Sequence, residues 1–104
     1  MRIDIITLFP GMLTGFLSES MIGRAQESGQ VEIGIHNLRH FGVGKWQVTD
    51  DRPFGGGAGM LLKPEPLCAA IDSVRKEGSL TIYLSPDGEP FSHDLAVEFS
   101  KLEH

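Results

Sequence analysis

Hydrophobic and polar positions along this chain alternate between two periods, and the places where the period changes mark its elements. Arg2 to Leu8 carries Ile3, Ile5, Ile6 and Thr7, a β-branched run stopped by Phe9-Pro10-Gly11, and reads as a strand. Met12, Leu13, Phe16 and Leu17 recur at helical spacing, and Ser20 to Ser28 offers a second helical stretch closed by Gly29. Val31-Glu32-Ile33-Gly34-Ile35 alternates like a strand with one inward face and ends at His36-Asn37. From Leu38 to Gly59 neither period is sustained, which predicts a long irregular connection of the kind that is functional when ordered. Met60-Leu61-Leu62 suits a brief strand. Pro64 and Pro66 suit the first turn of a helix that Leu67, Ala70, Ile71 and Val74 continue on one face until Gly78. Ser79 to Leu84 reads as a buried strand, Ser85-Pro86-Asp87-Gly88 as a turn, and Ser92 to Lys101 as a final helix with Ser92 as its N-cap.

Strands and helices in this order predict an α/β fold, a mainly parallel sheet flanked by helices. A terminal helix in such folds delivers the chain to another strand, whereas here it leads to Leu102-Glu103-His104, so the domain is expected to be incomplete. The 104 residues suit one small domain without an internal boundary. No apolar run approaches the ~20 residues of a membrane span, and the start lacks a signal-peptide profile, so no membrane association and a cytoplasmic location are expected. Cys68 has no cysteine to pair with and is expected to pack as a small apolar group. The net charge of −5 argues against a free-standing nucleic-acid binder. Arg39, His40, Lys45 and Arg52 nevertheless fall close together with Phe41 and Trp46, which fits a nucleic-acid-facing edge and a solvated loop equally.

The stretch "DDRPFGGGAGM", Asp50 to Met60, places two acids, an Arg-Pro step and four glycines in eleven positions. Glycine reaches positive φ and lets a backbone approach a ligand, at an entropic cost that a mere connector has no reason to carry. With Asp50, Asp51, Arg52 and Phe54 upstream and Met60-Leu61-Leu62 downstream, an ordered loop is favoured over a linker. Standard phosphate motifs fail on spacing: Gly59 precedes Met60 where a P-loop needs Lys, and Met60 stands where G-x-G-x-x-G needs its last glycine. His36 and His40 have helical metal-pair spacing but leave a strand and lack a third ligand, so a surface pair is expected and no metal site. "YLSPDG", Tyr83 to Gly88, is a strand end running into a turn, the place where open α/β sheets collect ligands; an ordinary turn before a helix fits the residues as well.

"DDRPFGGGAGMLLKPEPL" resembles the signature of the bacterial tRNA (guanine-N1)-methyltransferase family, TrmD, which typically reads DDRPYGGGPGM. The opening "IDIITLFPGML", "MIGRA" at Met21 to Ala25, and "IYLSPDG" resemble the same family in the same order. Phe54 stands where the family usually has Tyr, and Ala58 where it has Pro, so a hydroxyl is lost and one φ angle is freer.

The resemblance implies a trefoil-knot (SPOUT) domain that transfers the methyl of S-adenosylmethionine to N1 of the guanosine 3′ of the anticodon of tRNA, acting as a homodimer. It implies that Tyr83, Leu84, Ser85, Pro86 and Gly88 form part of the adenosine-side wall of the cofactor site. It further implies that Asp50, Asp51, Arg52, Pro53, Phe54, Gly55, Gly56, Gly57 and Gly59 form a substrate loop, with Asp50, Asp51 and Arg52 bracing it. Asp51 beside Arg52 is a poor candidate base, because a neighbouring cation lowers a carboxylate pKa. The family's knot, its general base, a further Arg and a helical C-terminal domain are expected beyond residue 104, leaving no catalytic residue in this chain. Residues 1–104 are then read as the N-terminal portion of the S-adenosylmethionine-binding domain, inactive alone. A small self-sufficient enzyme and a non-enzymatic tRNA-binding or dimerising module are the competing readings.

Overall fold

A computed structural model describes all residues from Met1 to His104. The β-branched run forms strand β1, Arg2–Thr7, and the alternating segment forms β2, Glu32–Asn37. The two pair in parallel, with Asp4 opposite Gly34 and Ile6 opposite His36. Parallel pairing needs a crossover, and helices α1, Gly11–Ser18, and α2, Ser20–Glu27, supply it. Ser20 takes φ 55° at the junction, and Gly23 is buried there against the Ser18 carbonyl, with which an added Cβ would collide. Gly29, at φ 72°, ends α2 and turns the chain into β2.

The long connection is more ordered than its lack of period predicts. Asn37 caps a 3₁₀ turn, Leu38–Phe41, by accepting from the Arg39 N–H at 3.0 Å. A small hairpin closed by a Val43–Val48 bridge follows and leads into β3, Asp50–Asp51, which pairs antiparallel with β4, Leu61–Leu62. Helix α3, Pro64–Val74, has proline in its first turn, where the missing N–H costs nothing. Helix α4, His93–Phe99, is capped by Ser92 Oγ, which accepts from the Leu95 N–H at 3.2 Å. The core lies where α3 meets the 3₁₀ turn, with Leu38, Thr49, Pro66 and Ala70 buried; Leu17 is buried in α1.

Three expectations are corrected. Ser79 to Leu84 is not a strand: Leu80 N–H donates to the His104 carbonyl at 3.2 Å, but no strand lies alongside to complete a ladder, so Ile82, Tyr83 and Leu84 remain exposed. Cys68 is exposed, because α3 buries Pro66 and Ala70 and turns position 68 outward. His36 is not half of a surface pair, since the β1–β2 register carries its ring onto Asp4. The α/β class holds, with helices around a small parallel sheet.

Candidate functional site

The glycine-rich stretch is the loop of a hairpin. Its arms β3 and β4 put Asp51 opposite Leu61, and Lys63 N–H donates to the Thr49 carbonyl at 2.8 Å, so Asp51 and Lys63 are diagonal neighbours on one face. Lys63 Nζ lies 2.9 Å from Asp51 Oδ2, while Asp51 Oδ1 accepts from the Arg52 N–H at 2.8 Å. Lys63 therefore holds the Asp51 carboxyl below its ordinary range, with the Arg52 amide adding to it, and Asp51 in turn raises the Lys63 ammonium. Asp51 ties the base of the loop through both oxygens. Arg52 contributes its backbone amide, and its guanidinium makes no hydrogen bond or ion pair. The Asp50 side chain makes none either.

Beyond this base the loop is stretched out in solvent. Pro53 starts a turn closed by Gly56 N–H on its carbonyl at 3.1 Å, and Phe54 at its corner is fully exposed. Gly55, Gly56, Gly57 and Gly59 have φ of 80°, 83°, 124° and 89°. Four left-handed positions in five residues explain the composition, because any Cβ there is strained even though the space around each is open.

At Tyr83 to Gly88 the chain runs extended and then turns, with Gly88 N–H donating to the Ser85 carbonyl at 3.1 Å and Asp87 N–H to Ser85 Oγ at 3.3 Å. A Cβ on Gly88 would press on the Ser85 carbonyl at 3.2 Å. Tyr83 and Leu84 are 78% and 88% exposed, so this segment offers ring, aliphatic face and unpaired backbone groups to whatever adjoins it. No hydrogen bond joins it to the glycine loop.

Sequence reasoning missed two features. One is Lys63, whose link to Asp51 depends on the antiparallel pairing that closes over the glycines. The other is a polar cluster on one face of β1–β2. Asp4, with 2% of its side chain exposed, accepts from Arg2 Nε at 2.7 Å and Nη2 at 3.0 Å, and meets His36 Nε2 at 2.7 Å and His104 Nε2 at 2.8 Å. Arg2 also bonds Glu32, and Ser79 Oγ bonds the second ring nitrogen of His104. Gly34 is the opening that admits the carboxylate, since a Cβ there would collide with Asp4 Oδ1. Arg2 above all, then the two histidines, hold the Asp4 carboxyl far below the usual carboxylate range against the opposing effect of burial. Beside this cluster a cleft of about 410 Å³ is lined by Arg2, Lys76, Lys101, Glu77, Glu103 and neighbouring residues, away from both predicted segments. No set of His, Cys, Asp and Glu is arranged to hold a metal ion.

A parallel β–α–α–β unit, a glycine hairpin locked at its base and an exposed turn after an extended segment make up an α/β domain. The family model described as tRNA (Guanine-1)-methyltransferase TrmD matches residues 1–104, and the chain belongs to that family. A tRNA (guanine-N(1)-)-methyltransferase of Dictyoglomus turgidum is 47% identical over 104 residues, covering all of this chain and 42% of the relative. One from a Geobacter species is 44% identical over 105 residues, covering 99% of this chain and 42% of the relative. The crystal structure of tRNA (m1G37) methyltransferase from Aquifex aeolicus superposes with a TM-score of 0.65 at 35% identity, over 71% of this chain and 33% of that one. The chain thus spans about two fifths of the length of the curated relatives it matches. No helix is long and apolar enough to cross a membrane.

Proposed function

We propose that residues 1–104 form the N-terminal portion of the methyl-donor domain of a cytoplasmic tRNA methyltransferase, which methylates N1 of the guanosine 3′ of the anticodon and acts as a homodimer. The observation that carries this reading is the family match over every residue, joined to a signature loop whose glycines all take a conformation that other residues avoid. Asp50 to Gly59 is the substrate loop in this reading. Its side-chain-free backbone lets a flat guanine approach, and the Asp51–Lys63 pair keeps its two arms together.

Tyr83, Leu84, Ser85, Pro86 and Gly88 suit one wall of an S-adenosylmethionine site: extended backbone with unpaired donors and acceptors for an adenine edge, and an exposed ring and aliphatic chain beside it. When bound, S-adenosylmethionine supplies an electrophilic methyl on a sulfonium. Attack by guanine N1 requires a base for the N1 proton, and Asp51 is unsuited to that task because Lys63 holds its carboxylate paired and weakly basic. The base, the knot and the helical tRNA-binding domain are assigned to the part of the relatives' length that this chain does not span.

The test is a chimera in which residues 1–104 replace the matching 42% of the Dictyoglomus turgidum relative. Incubated with tRNA and radiolabelled S-adenosylmethionine, it is expected to methylate the guanosine beside the anticodon. A folded chimera that transfers no label, beside an active parent, would overturn the reading.

A further inference from the structure

The hairpin before the glycine loop carries the chain's one tryptophan, and it is built to hold that ring away from the protein. Val43 and Val48 exchange both backbone hydrogen bonds, at 2.9 and 3.1 Å, and Gln47 N–H closes the tip on the Gly44 carbonyl at 3.1 Å. Gly44 at φ 71° and Gln47 at φ 48° accept the left-handed positions of the turn. Gly42 is excluded from carrying a side chain by the backbone of Gln47, against which a Cβ would collide. Lys45 and Trp46 are the two corner residues, and Trp46 is 81% exposed with the Lys45 ammonium 5.4 Å from its ring centre. The outgoing arm passes through buried Thr49 straight into β3, so the tip is mounted on the same hairpin base as the glycine loop.

Charge selects the kind of partner. Between Ile33 and Lys63 lie four of the chain's nine Lys and Arg, namely Arg39, Lys45, Arg52 and Lys63, but only two of its fourteen acids, Asp50 and Asp51. This segment is therefore net positive on a chain of net charge −5, and with Asp51 and Lys63 paired to each other it leaves Arg39, Lys45 and Arg52 against Asp50. An exposed aromatic face beside a cation, within a locally basic stretch, matches the needs of an unpaired nucleotide, whose base stacks on the ring while its phosphate meets the ammonium. An apolar protein partner would gain nothing from the Lys, and inside a duplex the base faces are already stacked on one another.

We propose that the Lys45–Trp46 tip is an RNA-stacking site that takes one unpaired nucleobase of the substrate RNA, adjacent to the nucleotide presented to the glycine loop. The proposal rests on the tRNA-methyltransferase reading for the identity of its RNA. Trp46 positions substrate and touches no reacting atom.

Because Trp46 is the sole tryptophan, the 104-residue chain reports on its own binding. At low salt, its fluorescence is expected to be quenched by an RNA hairpin with an unpaired loop, and left nearly unchanged by a blunt duplex of equal charge or by inorganic polyphosphate. Trp46→Ala is expected to weaken loop binding about tenfold by anisotropy of labelled RNA, with Trp46→Phe retaining most of the affinity. Trp46→Leu keeps apolar bulk without a π face and is expected to behave like Ala. Lys45→Ala is expected to reduce the slope of log affinity against log salt by about one. Equal quenching by duplex and loop, no quenching by loop RNA, or full affinity in Trp46→Leu would each overturn the stacking site. The chimera assay separates this from the activity: transfer without loop-specific quenching sinks the stacking site alone, and quenching without transfer sinks the methyltransferase reading alone.

Discussion

Asp4 ties the two strands of the parallel pair together through side chains. Its carboxylate, admitted by Gly34, gathers Arg2, His36 and His104 from three parts of the chain. Asp4→Ala removes the common acceptor of these donors and is expected to cost on the order of 2 kcal/mol, read as a lowered denaturant midpoint. The sign with pH follows from a carboxyl whose folded pKa is depressed: its contribution is complete above the ordinary Asp pKa of about 4 and is lost as pH falls below that toward the folded value. Arg2→Met removes the largest cause of that depression, so it should lower stability at neutral pH and flatten the further fall in stability below about pH 4. Gly57, at φ 124° with open space around it, poses a different question. Gly57→Ala costs about 1 kcal/mol of backbone strain rather than any collision, so the melting temperature should move by only a few degrees. In the active chimera the same substitution is expected to lower transfer about tenfold, since the loop must either carry the strain or leave its shape. Normal turnover would make the loop a connector.

At the scale of elements, the β3–β4 hairpin is two residues per arm and holds through its ends rather than its length. Asp51→Ala frees both Lys63 and the Arg52 amide, so hydrogen exchange at Arg52 and Gly56 should accelerate while exchange in β1 and β2 stays unchanged. Equal acceleration in both places would show that Asp51 supports the whole fold and not the loop. Such a short ladder was not readable as pairing, since two residues carry no period and the glycines between the arms mask their proximity. The periodic elements were readable. Helix α2 ends beside Gly29 and Ser92 caps α4, because caps and helical spacing are local properties of the chain. The run from Ser79 to Leu84 shows the limit of that reasoning, for its β-branched and aromatic residues favour a strand that no neighbour completes.

For the whole molecule, the radius of gyration of 15.8 Å exceeds the ~13 Å expected for a packed domain of this length, and only 6 of 104 residues are buried. The cause is visible at β1. One edge is paired with β2, while on the other Arg2 N–H donates to the Glu103 carbonyl at 2.8 Å and the next residue's carbonyl holds Leu80, so residues 103 and 104 sit between β1 and the segment beyond Leu80. Beyond Leu80, Ile82, Tyr83 and Leu84 are exposed and belong to no strand, which leaves their backbone groups open to pairing. The isolated chain is therefore expected to self-associate in light scattering, and Leu84→Lys to shift it toward monomer. A monomeric wild type at high concentration would contradict this. On the proposed reading of Tyr83 to Gly88 as one exposed wall of a donor site, titration calorimetry of the isolated chain should detect no S-adenosylmethionine binding in the micromolar range, while the chimera should bind.

The sequence by itself determined the helical segments, the Ser92 cap, the β1 and β2 segments, the glycine loop and the family, because each is written in local spacing or in a contiguous motif. Only the tertiary structure decided which residues meet across distance. Asp4 finds His36 through strand register and His104 through the return of the chain, Lys63 finds Asp51 across a hairpin, and Ser79 to Leu84 fails as a strand for want of a partner. The physical reason is the same in each case. A backbone preference is a property of the residue, whereas a hydrogen bond or an ion pair belongs to two groups, and the second lies 12 to 100 positions away.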